Sequence, residues 1–338
     1  MLQTIALGIL VLAVLLGPLL FKPIERNIEL FFLIAGAFAS VCMGQWRLPL
    51  LKAALTEPLA LTIAVLAFGA VARFLRHTLE SSFRRIVGTV PPHWIYFGLI
   101  VALGLLASVI TAVIAALILV EAIALLKLAR GSEIAVVVLA CFAIGLGAAL
   151  TPAGGPLSAL AIAALRADFW YLARLLGPLV IAGIMIVGGI GLFLPAKGGD
   201  PLNADTHVDS WSEIVVRAFK VYVFVAGLIG LSWGLRPLAD QYVSHMPQWL
   251  LYWMNSISAV VDNATLTAVE IGPSLKPSQQ RSILMGLLIS GGMLVPGNIP
   301  NIIAAGRLKI SSREWARVGL AVGLPLMLVC FAVLSLIG

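Results

Sequence analysis

A chain of 338 residues with 61% apolar and only 11% charged side chains carries too few charges to cover a soluble domain. Its mean hydropathy of +1.07 points the same way. The excess of 22 Lys and Arg over 15 Asp and Glu is the positive-inside bias of a membrane protein, so nucleic acid is excluded as a partner. Cys42, Cys141 and Cys330 lie in apolar runs without C-x-x-C spacing or a neighbouring His, which excludes a redox or metal-thiolate reading.

The first apolar run, Leu2 to Phe21, has no Lys or Arg before it and is expected to remain as a membrane helix rather than act as a signal peptide. It and Ile28 to Gly44 approach the ~20 apolar residues that cross a bilayer as helix. A third span, Pro58 to Val71, leads into a loop with Arg73, Arg76, Arg84 and Arg85 against the single acid Glu80, which marks it as cytoplasmic. From His93 to Leu128 the chain is apolar for longer than one crossing needs and is interrupted at Ser108 and Thr111. Two short arms meeting at mid-depth account for that length.

Glu133 to Leu150 is the next helix. It breaks at Thr151-Pro-Ala-Gly-Gly-Pro156, resumes as Leu157 to Leu165, and is followed by a span from Leu172 to Leu194. Proline removes a ladder donor and glycine tolerates unwound backbone, so a break is expected there. The loop Pro195 to Ser212 is the linker. The series then recurs: a span from Glu213 to Leu235, an interrupted apolar run from Trp249 to Gly272, a helix from Ile283 to Val295 broken at Pro296-Gly-Asn-Ile-Pro300, and a span from Trp315 to Ile337. Gly147, Leu150, Pro152 and Pro156 match Gly291, Leu294, Pro296 and Pro300 as G-x-x-L-x-P-x-x-x-P.

The expected fold is therefore an all-α polytopic membrane protein with two inverted-topology repeats, each holding an interrupted or re-entrant hairpin and a broken helix. Its parts are N-terminal scaffold helices (residues 1–56), a first repeat (57–194), a linker (195–212) and a second, inverted repeat (213–338). With both termini outside, most Lys and Arg fall on the cytoplasmic side of the cell membrane.

Inverted repeats with paired breaks place substrate at the repeat interface, where exposed helix ends and carbonyls replace hydration. The acids inside apolar runs are Glu121, Asp262 and Glu270. A carboxylate in hydrocarbon is costly, so each is a functional-site hypothesis. Asp262 is the best placed, because Asn263, Thr265 and Ser258 supply the neutral oxygens that hard cations prefer. The plainer reading is that Asp262 caps the short helix after it; capping and cation binding are compatible. Glu121 and Glu270 sit nearer the ends of their runs and rank second. At the breaks, Thr151, Ser158, Asn298 and Asn301 either coordinate an ion or satisfy freed backbone groups. Lys220 and Arg217 are expected to snorkel to the cytoplasmic surface.

The segment Ser258-Ala-Val-Val-Asp262-Asn263, with Gly291-Gly-Met-Leu-Val-Pro-Gly-Asn298 and Thr151-Pro-Ala-Gly-Gly-Pro156, resembles the ion transporter superfamily. The likeness is nearest to NhaD-type sodium/proton antiporters and related cation transporter families. It implies a scaffold part, a mobile part of two re-entrant hairpins and two broken helices, a homodimer and movement of the elevator kind. It also implies that Asp262 and Asn263 form the ion-binding tip of the second hairpin, the candidate metal-ion ligands, with Asn298 in the unwound helix. The chain departs from a symmetric pattern in one respect: Thr111 and Ala112 align with Asp262 and Asn263, so one half alone keeps the charge.

The expected function is a secondary active cation transporter, a sodium/proton antiporter in which Asp262 binds a proton or a monovalent cation but not both. It needs no resident cofactor, only the transported cation and the proton. The alternative within the same fold is a cation- or proton-coupled carrier of a dicarboxylate or of an oxyanion such as arsenite. An intramembrane aspartyl protease would require two facing acids and a G-x-G-D signature, neither of which the sequence offers, so an enzyme is not expected.

Overall fold

The computed structural model describes residues 8–14, 21, 23–24, 27–59, 62–63, 66–67, 70, 90–195, 210–259 and 263–337. The expected third span, the Arg73 to Arg85 loop, most of the first span and the linker lie largely outside them, as does Asp262. Among the described residues the chain is helical, without β-strands. Its elements are α1 (Ile28–Cys42), α2 (Pro92–Ile110), α3 (Ala112–Leu126), α4 (Arg130–Ala148), α5 (Pro156–Leu165), α6 (Tyr171–Gly191), α7 (Trp211–Tyr242), α8 (Gln248–Met254), α9 (Asn263–Glu270), α10 (Pro277–Gly291), α11 (Ile299–Arg307) and α12 (Ser312–Ile337). Residues 48–59 are also helical. Among the described residues α2, α4, α6, Trp211–Pro237 of α7 and α12 are long and apolar enough to cross a bilayer. This is the architecture of a multi-pass membrane protein.

Two packing systems organise the chain. In the first, α1 crosses α7 at backbone contact. A Cβ on Gly36 would stand 2.2 Å from the Gly227 carbonyl, and one on Gly234 would stand 2.5 Å from Ala39. Ser40 Oγ donates to the Gly230 carbonyl at 2.7 Å. Small residues and a hydroxyl are what apolar helices use to associate where lipid gives no hydrophobic drive. Lys220 at the same interface reaches Glu29 at 2.7 Å. The Lys220 side chain is half exposed, so the pair stands at the surface of the crossing, between partners too far apart in sequence for spacing to reveal.

In the second system α4 is the central post. Its residues from Ser132 to Ala148 are all buried, with α2 and α6 packed on it. A Cβ on Gly147 would fall 1.7 Å from the Gly104 carbonyl, so the α2–α4 crossing admits only glycine there. Arg130, at the start of α4, donates to Glu314 and to the carbonyls of Leu308 and Lys309, tying this post to the turn before α12.

Two expectations need correction. The first hairpin is not made of two short arms: α2 has 19 residues and is about 28 Å long, enough to cross a bilayer alone, while α3 has 15. The second hairpin is short on both sides, with α8 of 7 residues continued by a 3-10 turn, Asn255–Ala259, and α9 of 8 residues. The helix expected from Ile283 starts earlier, at Pro277, because proline suits the first turn and Gln279 Oε1 accepts from the Lys276 N–H at 3.0 Å.

Candidate functional site

The first hairpin turns at Thr111, whose φ of 75° and ψ of 150° end α2 and point the chain into α3. A β-branched residue rarely takes a positive φ, and the cost is sustained by surrounding bonds. Thr111 Oγ1 accepts from the Ile114 N–H at 3.4 Å, and the Ala112 N–H donates to the Gly154 carbonyl at 2.7 Å. The break after α4 thus docks on the tip. Thr151 Oγ1 donates to the Ser108 carbonyl, and Ser158 Oγ shares its donor between the carbonyls of Ala148, at 3.1 Å, and Gly155, at 3.0 Å. Gly154 permits the fold-back, since a Cβ there would lie 2.0 Å from the Ala148 carbonyl.

The break after α10 is served in the same way. Asn301 Nδ2 donates to the carbonyls of Gly291, at 2.8 Å, and Leu294, at 2.9 Å. Ser258 Oγ donates to the Leu287 carbonyl at 3.3 Å. Thr151 on Ser108, Ser158 on Ala148 and Asn301 on Gly291 each serve a carbonyl left free where a helix stops. The sequence offered two roles for Thr151, Ser158 and Asn301, and the structure gives each a backbone carbonyl.

Asn263 and Asn298 differ from them. Asn263 opens α9 and is 5% exposed; Asn298 precedes α11 in extended conformation and is 7% exposed. Neither side chain has a hydrogen-bond partner among the described residues. Asn298 fits because position 145 is glycine: a Cβ there would stand 2.6 Å from Asn298 Nδ2.

Both amides line a cavity of about 30 Å³ with Thr111, Ala112, Gly154, Gly155, Ser158 and Ile299. That is room for one or two water-sized guests. The structure therefore brings together Thr111, Ser158, Asn263 and Asn298. Thr151, Ser258, Thr265 and Asn301 are buried but do not line the cavity. Glu270, at the end of α9, is buried away from it and accepts from Asn255 Nδ2 at 2.8 Å. Glu121 is on the exposed face of α3. Asp262 lies outside the described residues, directly before Asn263 in sequence. Among the described residues no group of three or more His, Cys, Asp or Glu forms a metal site.

Sequence reasoning missed Gly145 and the backbone itself. Four helices begin at this cavity: α3 at Ala112, α5 at Pro156, α9 at Asn263 and α11 at Ile299. The paired Gly and Pro of each break signalled the interruption without showing which helix ends would converge.

One family model, described as "Protein of unknown function (DUF1646)", matches residues 4–337, nearly the whole chain. No curated protein matches. Neither result names an activity or bears on the likeness to NhaD-type antiporters.

Proposed function

We propose that this chain, which belongs to the family of proteins of unknown function DUF1646, is a secondary active cation transporter, with Asp262 taking either a proton or a monovalent cation. The observation that carries the reading is the convergence of both hairpin tips and both helix breaks on one cavity. Asn263 lines that cavity, and Asp262 precedes it directly in sequence. A cation lowers the proton affinity of a carboxylate beside it, so loading sodium expels the proton.

The same reading takes the two halves as inverted repeats. Its support is the matched register of the breaks and an exchange of partners: α3 of the first hairpin packs on α11 of the second half, and α9 of the second hairpin packs on α5 of the first. Exposed apolar side chains such as Ile181, Met185, Leu324 and Leu328 suit contact with lipid. By the resemblance the protein is a homodimer, and the distribution of Lys and Arg puts both termini outside the cell membrane.

The test is purified protein in liposomes with an internal pH dye, challenged with sodium, lithium and potassium in turn and then with citrate, succinate or arsenite. Cation-driven proton release that is lost in Asp262→Asn is expected; the absence of any cation-dependent signal would remove the reading. A second reading, in which the cation drives an anion, is favoured by the four helix N-termini at the cavity.

A further inference from the structure

We propose that Asn255 and Glu270 form a proton-binding latch across the second hairpin. The neutral Glu270 carboxyl donates to Asn255 Oδ1 while Asn255 Nδ2 donates back; when that proton leaves to water, the end of α9 is freed from the arm made by α8 and its 3-10 turn. The inference goes beyond the transporter reading, since neither residue lines the cavity and the pair stands whatever the cavity carries.

Asn255 is clamped in one orientation. It is fully buried, and its backbone carbonyl accepts from Ser290 Oγ at 2.7 Å. Both hydrogens of Nδ2 are spent, one on the Leu251 carbonyl and one on Glu270 Oε2, each at 2.8 Å. A flipped amide would set its oxygen against those two acceptors, so the positions of oxygen and nitrogen are settled. Asn255 Oδ1 is left as a buried acceptor with no donor among the described residues. Such an acceptor is costly to leave unmet.

Glu270 supplies the missing donor once it carries a proton. Ionised, it is an acceptor only, and its charge sits at the C-terminal end of α9, where the helix dipole is also negative. Protonated, it gains an O–H, and a carboxyl and a primary amide then close a ring of two hydrogen bonds, N–H to the acid carbonyl and O–H to the amide carbonyl. In a buried site the charged form is the costlier one unless a cation compensates it. None does so among the described residues. The elements packed against α9 are α5, α7, α10 and the Asn255–Ala259 turn. α5 and the turn carry no charged residue. Of the charged side chains described on or beside the others, Glu213, Lys220, Arg236, Lys276 and Arg281, none pairs with Glu270, and Lys220 is engaged by Glu29. In the register that matches Ala112 to Asn263, the first hairpin has Gly104 and a buried Leu119 at these two places, so packing alone does not call for an acid there.

The experiment is infrared difference spectroscopy on the full-length protein in detergent, between acid and alkaline pH at constant sodium. The carbonyl stretch of a protonated carboxyl stands apart from carboxylate and amide bands. The wild type is expected to show one such band that shifts in D2O, is lost on alkalinisation and is missing from Glu270→Gln. Asn255→Ala removes both bonds of the ring and should move that band to higher frequency; it carries the test if Glu270→Gln fails to fold. The latch itself is read by amide hydrogen exchange. Protection of the α9 amides, corrected for the intrinsic pH dependence of exchange, should fall several-fold on alkalinisation in the wild type and hold in Glu270→Gln, whose amide copies the neutral acid. The proposal is overturned if wild type and Glu270→Gln carry the same protonated-carboxyl bands, if Asn255→Ala leaves the band in place, or if α9 loses protection equally in wild type and Glu270→Gln. Loss of the band on adding sodium at fixed pH would also overturn it, by making the pair a cation site. None of these readouts involves transport, so the cation transporter reading survives their failure.

Discussion

The two halves of the molecule meet the cavity with similar geometry and different chemistry. In the first half the tip is Thr111-Ala112 and the break is Gly154-Gly155, and the nearby hydroxyls of Thr151 and Ser158 are committed to carbonyls. In the second half Asn263 and Asn298 occupy the matching positions, aligned with Ala112 and Gly154, and their amides have no partner among the described residues. One half closes the site and the other equips it.

The sharpest way to break this comparison is to exchange matched residues. Asp262→Asn keeps size and much of the hydrogen-bonding capacity but removes charge and titration, and it is expected to abolish cation-dependent proton movement in liposomes with the helical circular dichroism intact. Thr111→Val at the aligned position of the first half should leave most of that movement. Equal loss from both would place the chemistry in both halves.

Glycines give the next largest effect, on folding rather than transport. Gly147 and Gly291 match in register, yet a Cβ on Gly147 would meet the Gly104 carbonyl at 1.7 Å, while one on Gly291 would meet the Gly297 carbonyl at 3.1 Å. Gly147→Ala should destabilise by about 3 kcal/mol or more, and Gly291→Ala by about 1 kcal/mol. Thermal midpoints of the two purified variants check this; similar midpoints would mean that the α2–α4 crossing adjusts.

The breaks and the polar residues near the site were legible in the sequence, because Pro and Gly interrupt helices wherever they fall and an amide in an apolar run is conspicuous. The lengths of the first hairpin's arms were not. The run from His93 to Leu128 has no polar marker strong enough to divide a 19-residue arm from a short one. Nor could spacing separate Asn298, whose amide has no partner among the described residues, from Asn301, whose donors are spent on Gly291 and Leu294. That difference depends on where carbonyls stand after the chain folds back. Gly145 showed no sign of its role, since making room for Asn298 is a contact between the two halves.

Committed and uncommitted groups should also separate in stability. Thr151→Val strips the donor from the Ser108 carbonyl and is expected to cost about 1–3 kcal/mol while transport survives in the folded fraction. Asn298→Ala removes a side chain without a partner among the described residues, so stability should fall by less than about 1 kcal/mol while transport drops steeply. Denaturation midpoints and liposome rates, measured on the same preparations, decide it: if Asn298→Ala is the less stable of the two, its amide is structural.

The smallest effect is expected from Glu270→Gln, and it tests the ranking of the acids within the second half. Glu270 is buried, and its Oε2 accepts from Asn255 Nδ2 at 2.8 Å. Glutamine keeps an acceptor for that bond and adds a donor. Asn255 Oδ1 is a buried acceptor without a partner among the described residues, and a rotated amide at 270 could supply it. Removing a buried carboxylate whose partner is a neutral amide also removes a desolvation cost. Stability should therefore hold or rise by up to about 1 kcal/mol. Transport should slow or shift in pH dependence without disappearing, because Glu270 is not among the residues lining the cavity. If Glu270→Gln is inactive while Asp262→Asn exchanges cations for protons at the wild-type rate, the coupling acid is the one that ties Asn255 to the end of α9, and the cavity between the two tips serves only as a passage.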